Sequence, residues 1–149
     1  MSSRLPKPLL LLAAAYFAAS LAHFSHNAQY IAFYPGMPGW LTPGKVWLFW
    51  FAVTGVGLSA LAFARLGLPA IALLALAVYG ALGLDGLLHY TLGLCSQHTL
   101  LANLTIWAEA VTGLTLLLAS AVLMMRCVVR CFGKATHRDG RKACQILKP

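Results

Sequence analysis

The chain has 149 residues, of which 60% are hydrophobic and 9% charged. A water-soluble domain carries about 25% charged residues, so composition excludes an ordinary soluble fold, and the length leaves no room for a second large domain. The formal net charge of +8 would suit nucleic acid, but the basic residues flank apolar runs instead of forming a basic face, and no nucleic-acid partner is expected.

Four apolar runs meet the roughly 20 residues a helix needs to cross the hydrocarbon core: 9–31, 46–64, 69–92 and 99–125. The expected fold is all-α, an integral membrane four-helix bundle over 1–125 followed by a basic tail over 126–149. Arg4 and Lys7 precede the first run, Arg65 lies between the second and third, and seven more basic residues from Arg126 to Lys148 follow the fourth. Lys45 alone falls on the other side. This asymmetry predicts that both termini are cytoplasmic. The expected location is a bacterial inner membrane, and the expected partners are the lipid bilayer and either further copies or subunits of a membrane complex. Anionic headgroups would meet the basic tail, at about 1 kcal/mol per residue near the surface.

In chain order, the first run has a basic start, an apolar core and Ser20-Leu21-Ala22, a small-residue pattern that signal peptidase accepts. Cleavage after Ala22 is therefore an alternative to a retained span. The apolar run continues through Ala28, Ile31, Ala32 and Phe33, longer than a signal core, which favours retention. The loop YPGMPGWLTPG is rich in proline and glycine and should be compact and turn-rich. Tyr34, Trp40, Trp47 and Trp50 are expected at headgroup level as an aromatic belt. The second run has no ionisable residue, and Gly55, Gly57 and Ser59 mark it as a packing helix. ARLGLP is a short turn, with Pro69 opening the third helix. In that helix Gly80, Gly83 and Gly86 surround Asp85.

Cysteine usage points to no disulfide: Cys95 is alone on the outer side. Cys127, Cys131, His137 and Cys144 loosely resemble a zinc knuckle, with unsuitable spacings.

The polar residues inside the runs carry the functional signal. His23 and His26 are three apart on one helix face, with Asn27 and Tyr30 beside them; Asp85 and His89 are four apart. His98, Ala102, Thr105, Glu109 and Thr112 form one stripe down the fourth helix. At 1.5 Å per residue, His26 and Asp85 lie about 10–12 Å, and His23 and Glu109 about 15 Å, below the outer boundary. All six ionisable side chains thus share the outer half of the spans. An acidic residue mid-span costs roughly 2.5–3.5 kcal/mol on the insertion scale, so two such residues need mutual neutralisation or a bound cation.

Three chemistries fit. The first is a transition-metal site for copper, zinc or iron, with His26, Asp85, His89 and Glu109 as first ligands and His23 and His98 next, serving metal handling or membrane-embedded redox chemistry. The second is a metal-free acid/base site, Glu109 with Asp85 and His26, acting on a lipid-like substrate. Small four-span isomerases of the sterol-isomerase type use such side chains, although no motif here matches theirs. The third is haem b held between His26 and His89, as in respiratory membrane anchors. A structural subunit of a membrane complex, with its polar stripe only joining helices, is the remaining alternative. Asp85-x3-His89 with His98 downstream resembles the Asp-x3-His…His copper motif in one membrane subunit of the particulate methane and ammonia monooxygenases. That resemblance covers about a tenth of the chain, with a shorter spacing to the last histidine, and it favours copper among the metals.

Overall fold

The computed structural model describes the backbone of residues 5–34 and 36–146, and the side chains of 5–34 and 36–129. Helix α1 (Lys7–Tyr30) runs into a 3₁₀ turn (Ile31–Phe33); α2 (Pro43–Arg65) and α3 (Pro69–Leu82) follow. A 3₁₀ stretch (Gly83–Leu88) leads into the single turn α4 (His89–Leu92), and a further 3₁₀ turn (Cys95–Gln97) precedes α5 (Leu100–Ile146). No strand occurs among the described residues. Four segments are long and apolar enough to cross a membrane: Lys7–Phe33, Pro43–Arg65, Pro69–Leu92 and Leu100–Val129. Helix α1 continues unbroken through Ser20–Ala22, and α5 continues without a break past residue 125. The side chains of Cys131, His137 and Cys144, and of the basic residues from Arg130 onward, lie outside the described residues.

Local chemistry sets the helix ends. Each of the first three helices has proline in its first turn, where the missing N–H costs nothing and the fixed φ suits the helix. Thr42 caps α2, its hydroxyl accepting from the Lys45 N–H at 3.4 Å. At the other end Gly67 adopts a φ of +75°, and the Leu68 N–H donates to the Phe63 carbonyl at 2.9 Å. That is a Schellman-type stop, which an L side chain at Gly67 would strain.

The helices close into a ring: α1 packs on α2 and α5, and α3 packs on the same two. Tyr16, Ala60, Leu73, Leu76, Tyr79 and Leu116 form the core. Glycine permits the closest contacts. A Cβ on Gly80 would lie 2.6 Å from the Gly113 carbonyl oxygen, and one on Gly113 equally close to that of Gly80. On the outside, Leu11, Phe51, Leu58, Leu104 and Val129 are among many exposed apolar side chains, an outer surface compatible with a membrane helical bundle.

Two expectations need correction. The third run is not one regular helix. Between Gly83 and Leu88 it tightens to 3₁₀ winding, where residues three apart come into line and residues four apart separate by about 120° instead of about 40°. Gly83 and Gly86 therefore both face inward and are buried, while Asp85 turns to the exposed side, away from the face expected to carry His89. The aromatic belt is also only partial: Trp40 is exposed, but Tyr34 and Trp50 are buried. Trp50 packs against Phe17 at 5.5 Å and Trp47 at 5.8 Å between ring centroids.

The α3–α5 contact gives a direct test. Gly80→Ala should destabilise the bundle by about 1–3 kcal/mol through overpacking against backbone. Gly55→Ala, with nothing within 4 Å of its would-be Cβ, should be neutral or slightly stabilising. Denaturant midpoints of the two variants in detergent check this.

Candidate functional site

Two polar stripes face each other where α1 meets α5. Tyr16, Ser20, His23 and Asn27 recur at steps of four, three and four, and all four are buried. Opposite them, His98, Ala102, Ile106, Glu109 and Leu116 are the buried face of the α5 region. Neither helix could hide these groups alone; paired, they place a polar seam inside an apolar bundle.

At the centre of the seam His23 Nε2 lies 3.6 Å from Glu109 Oε2, with the two residues 2% and 1% exposed. The 3₁₀ stretch makes room for this pair. A Cβ on Gly86 would sit 3.3 Å from Glu109 Oε2 and 3.6 Å from His23 Nε2. Nδ1 of His23 is 3.4 Å from the Thr105 hydroxyl oxygen. That hydroxyl donates its one proton to the Ala102 carbonyl at 2.9 Å, so it accepts from His23. The proton of neutral His23 thus resides on Nδ1, leaving the Nε2 lone pair for exchange with Glu109.

Asn27 ties a third group to the pair. Its amide nitrogen donates to His23 Nε2 at 3.0 Å and to His89 Nε2 at 3.2 Å. One amide thereby holds two imidazoles, whose centroids are 5.2 Å apart, with lone pairs turned towards each other. Its own Oδ1 has no partner, and neither has Glu109 Oε2. Leaving such atoms unsatisfied in a low-dielectric interior is costly, and both residues line the cavity beside the seam.

The remaining expected ligands go elsewhere. His26 turns to the Tyr34 hydroxyl, 2.7 Å from its Nδ1. Burial, with Tyr90 nearby, holds that hydroxyl well above the usual tyrosine range, so Tyr34 stays protonated and donates. His98 donates from Nδ1 to the Leu94 carbonyl at 3.0 Å. Tyr34 stands between the two groups, its ring centroid 5.0 Å from His89 and 5.8 Å from His98. The structure thus places His23, His89, Asp85 and Glu109 on one cavity, with only His23 and Glu109 in direct ion-pair range, while His26 and His98 hydrogen-bond to other partners. No group of three His, Cys, Asp or Glu side chains able to hold a metal ion occurs among the described residues. The tetrad of His26, Asp85, His89 and Glu109 is not assembled, and His26 and His89, the pair expected for haem b, answer different partners.

A cavity of about 510 Å³ opens beside the seam. Its floor is His23, Asn27, His89 and Glu109; its walls are apolar, including Phe24 of α1, Phe49 and Val53 of α2, and Leu82 and Leu88; Asp85 also lines it, and Trp40 and Met37 of the outer loop border it. The 3₁₀ stretch packs on α5, and α2 packs on α1 and α3. A shallower cleft of about 410 Å³ lies on the far side of Tyr34, lined by His26, Tyr30, Phe33, Gln97 and His98.

Asn27, expected from the sequence to cap, bridge or pack, bridges two imidazoles, whereas Tyr16 and Ser20 were not singled out as members of a polar seam. The 4-3-4 spacing from Tyr16 to Asn27 was their signal, the counterpart of the stripe on the fourth helix. Tyr34 carried no such signal, because its burial depends on the loop folding back. The class defined by fold and site is an all-helical bundle of four membrane-length helices with a buried His–Glu pair under an apolar cavity. No family model, curated protein or solved structure matches the chain.

If Thr105 sets the His23 tautomer, Thr105→Val should return His23 towards the Nε2–H form common in free imidazole. ¹⁵N spectra of histidine-labelled protein report this directly; an unchanged Nδ1–H signature would show that Thr105 plays no part. Because the Glu109 carboxyl is unsatisfied, Glu109→Met should raise the thermal unfolding midpoint, by an amount equivalent to about 1–3 kcal/mol.

Proposed function

We propose that this chain is a multi-pass membrane protein that binds a lipid-like molecule in the 510 Å³ cavity and acts on it by proton transfer through His23 and Glu109. The observation that carries the reading is the buried His23–Glu109 pair, 3.6 Å apart, lining an apolar-walled cavity. Catalytic acids and bases act efficiently when low dielectric brings their proton affinities close together.

The chemistry balances without a co-reactant. The Glu109 carboxyl gives its proton to one alkene carbon of an unsaturated substrate, and His23 Nε2, released by the Asn27 amide, removes a proton from the allylic carbon on the far side of the double bond. The double bond shifts, and the proton then passes from Nε2 to Oε2 across the 3.6 Å gap, restoring the starting state. Asn27 and Thr105 position the imidazole. The basic asymmetry of the sequence supports cytoplasmic termini in a bacterial inner membrane, with the pair in the outer half of the bilayer.

A second reading, a site for copper, zinc or iron, has one supporting observation: His23 and His89 lie close together beside Glu109. It requires the Asn27 amide to swing out, since its N–H groups occupy both imidazole lone pairs.

The test uses purified protein in lipid nanodiscs with a membrane-lipid extract in D₂O. Mass spectrometry should find one lipid class gaining non-exchangeable deuterium, with His23→Ala and Glu109→Gln each slowing the gain by about 10²–10⁴-fold. Equal incorporation by both variants and by empty nanodiscs would remove the acid/base reading.

A further inference from the structure

The hydrogen-bonding inventory of the cavity is one-sided. Asp85 lines it and makes no hydrogen bond or ion pair among the described residues. Asn27, 8% exposed, and Glu109, 1% exposed, line it as well, and Asn27 Oδ1 and Glu109 Oε2 are both without a partner. His23 Nε2 and His89 Nε2 accept from Asn27 and are not free. The unpartnered polar atoms identified on the wall are thus the Asp85 carboxylate, Asn27 Oδ1 and Glu109 Oε2.

The lysine at the start of α2 is engaged elsewhere. Lys45 is the sole Lys or Arg between Lys7 and Arg65. Its Nζ donates to the Trp40 carbonyl at 2.9 Å and sits 5.3 Å from the centroid of the Trp40 ring. No lysine or arginine lines the cavity.

Resting on the acid/base reading above, we propose that the ligand of this cavity is an amphiphile with a protonated amine head. The head takes Asp85 as counter-ion and donates to the free acceptors, while the tail lies along Phe49, Val53, Leu82 and Leu88. The Asp85 carboxylate and the Asn27 amide oxygen, with no donors opposite them, favour a cation, because an unanswered carboxylate is expensive under low dielectric. An organic cation suits the space better than a bare metal ion. The walls are apolar, and the imidazole lone pairs are already bound to Asn27. A neutral alcohol would answer one acceptor and leave the carboxylate uncompensated; an anion would be repelled.

The experiment measures saturable binding of tritiated N,N-dimethyldodecylamine to the full chain in nanodiscs, with 1-dodecanol and dodecanoate as competitors. Amine binding near one per chain is expected, with neither competitor displacing it at tenfold excess. Asp85→Asn, at an exposed position where folding should be unaffected, should weaken binding at least tenfold. Leu88→Lys, exposed at 57% and placing a cation on the cavity wall, should do the same. Competition by dodecanol equal to that of the amine, or unchanged affinity in both variants, would overturn the assignment. So would Zn²⁺ or Cu²⁺ retained stoichiometrically through gel filtration and excluding the amine. If amine binding fails while deuterium incorporation dependent on His23 and Glu109 persists, the head group is wrongly assigned and the acid/base reading stands. Binding without incorporation means the opposite: the cavity takes amines, and proton transfer is not its function.

Discussion

A carboxyl group placed in the middle of an apolar bundle must find a proton, a donor or a counter-ion, and much of this architecture follows from how Glu109 is accommodated. It is 1% exposed, no lysine or arginine bonds to it among the described residues, and its neighbour is an imidazole at 3.6 Å. Holding that pair in place requires three helical segments to approach closely. Glycines at 80, 83, 86 and 113 supply the approach, with would-be Cβ atoms of Gly80 and Gly113 only 2.6 Å from opposing carbonyl oxygens. The 3₁₀ stretch is part of the same solution. It brings Gly83 and Gly86 into line over Glu109, and in doing so turns Asp85 outward and leaves a gap behind α2. The Glu109 carboxyl lies on the wall of the resulting cavity.

The positions of the four helices were legible because membrane crossing imposes a length and an apolar composition that appear directly in the residues. Proline at each of the first three helix starts and Gly67 after α2 sharpened the boundaries for local reasons that need no tertiary information. The face presented by Asp85 was not legible. A four-residue spacing implies a shared face only at 3.6 residues per turn, and the change of winding at Gly83 arises from the fit against α5, which a linear pattern does not contain. Three glycines spaced by three were a hint of it, read at the sequence level only as tight packing.

The site was legible as a region but not as a set of partners. Depth arithmetic grouped His23, His89 and Glu109 in one half of the bundle, since rise per residue is nearly invariant. It could not separate His23 from His26, three residues apart on a helix: a rotation of about 60° sends one to Glu109 and the other to Tyr34. Nor could it show that an asparagine would come between two imidazoles. Asn27 has two N–H groups, and that stoichiometry ties His23 and His89 together without a metal.

The Asn27 amide also couples the protonation states of the two histidines. While its nitrogen faces them, both Nε2 atoms must be acceptors. If His23 takes a proton at Nε2, the favourable response is rotation of the amide by 180°, presenting Oδ1. The same rotation offers His89 an acceptor in place of a donor, so His89 restores its bond by moving its own proton from Nδ1 to Nε2. That tautomer change costs no charge, and it relocates the free lone pair of His89 to Nδ1. On the acid/base reading proposed above, a proton taken up at His23 Nε2 would thus change the hydrogen bonding of His89 through the shared amide. Replacing the amide by a carboxylate would lose this property, because a carboxylate offers no donor for the resting state. Asn27 is thus suited to the position in a way that Asp is not.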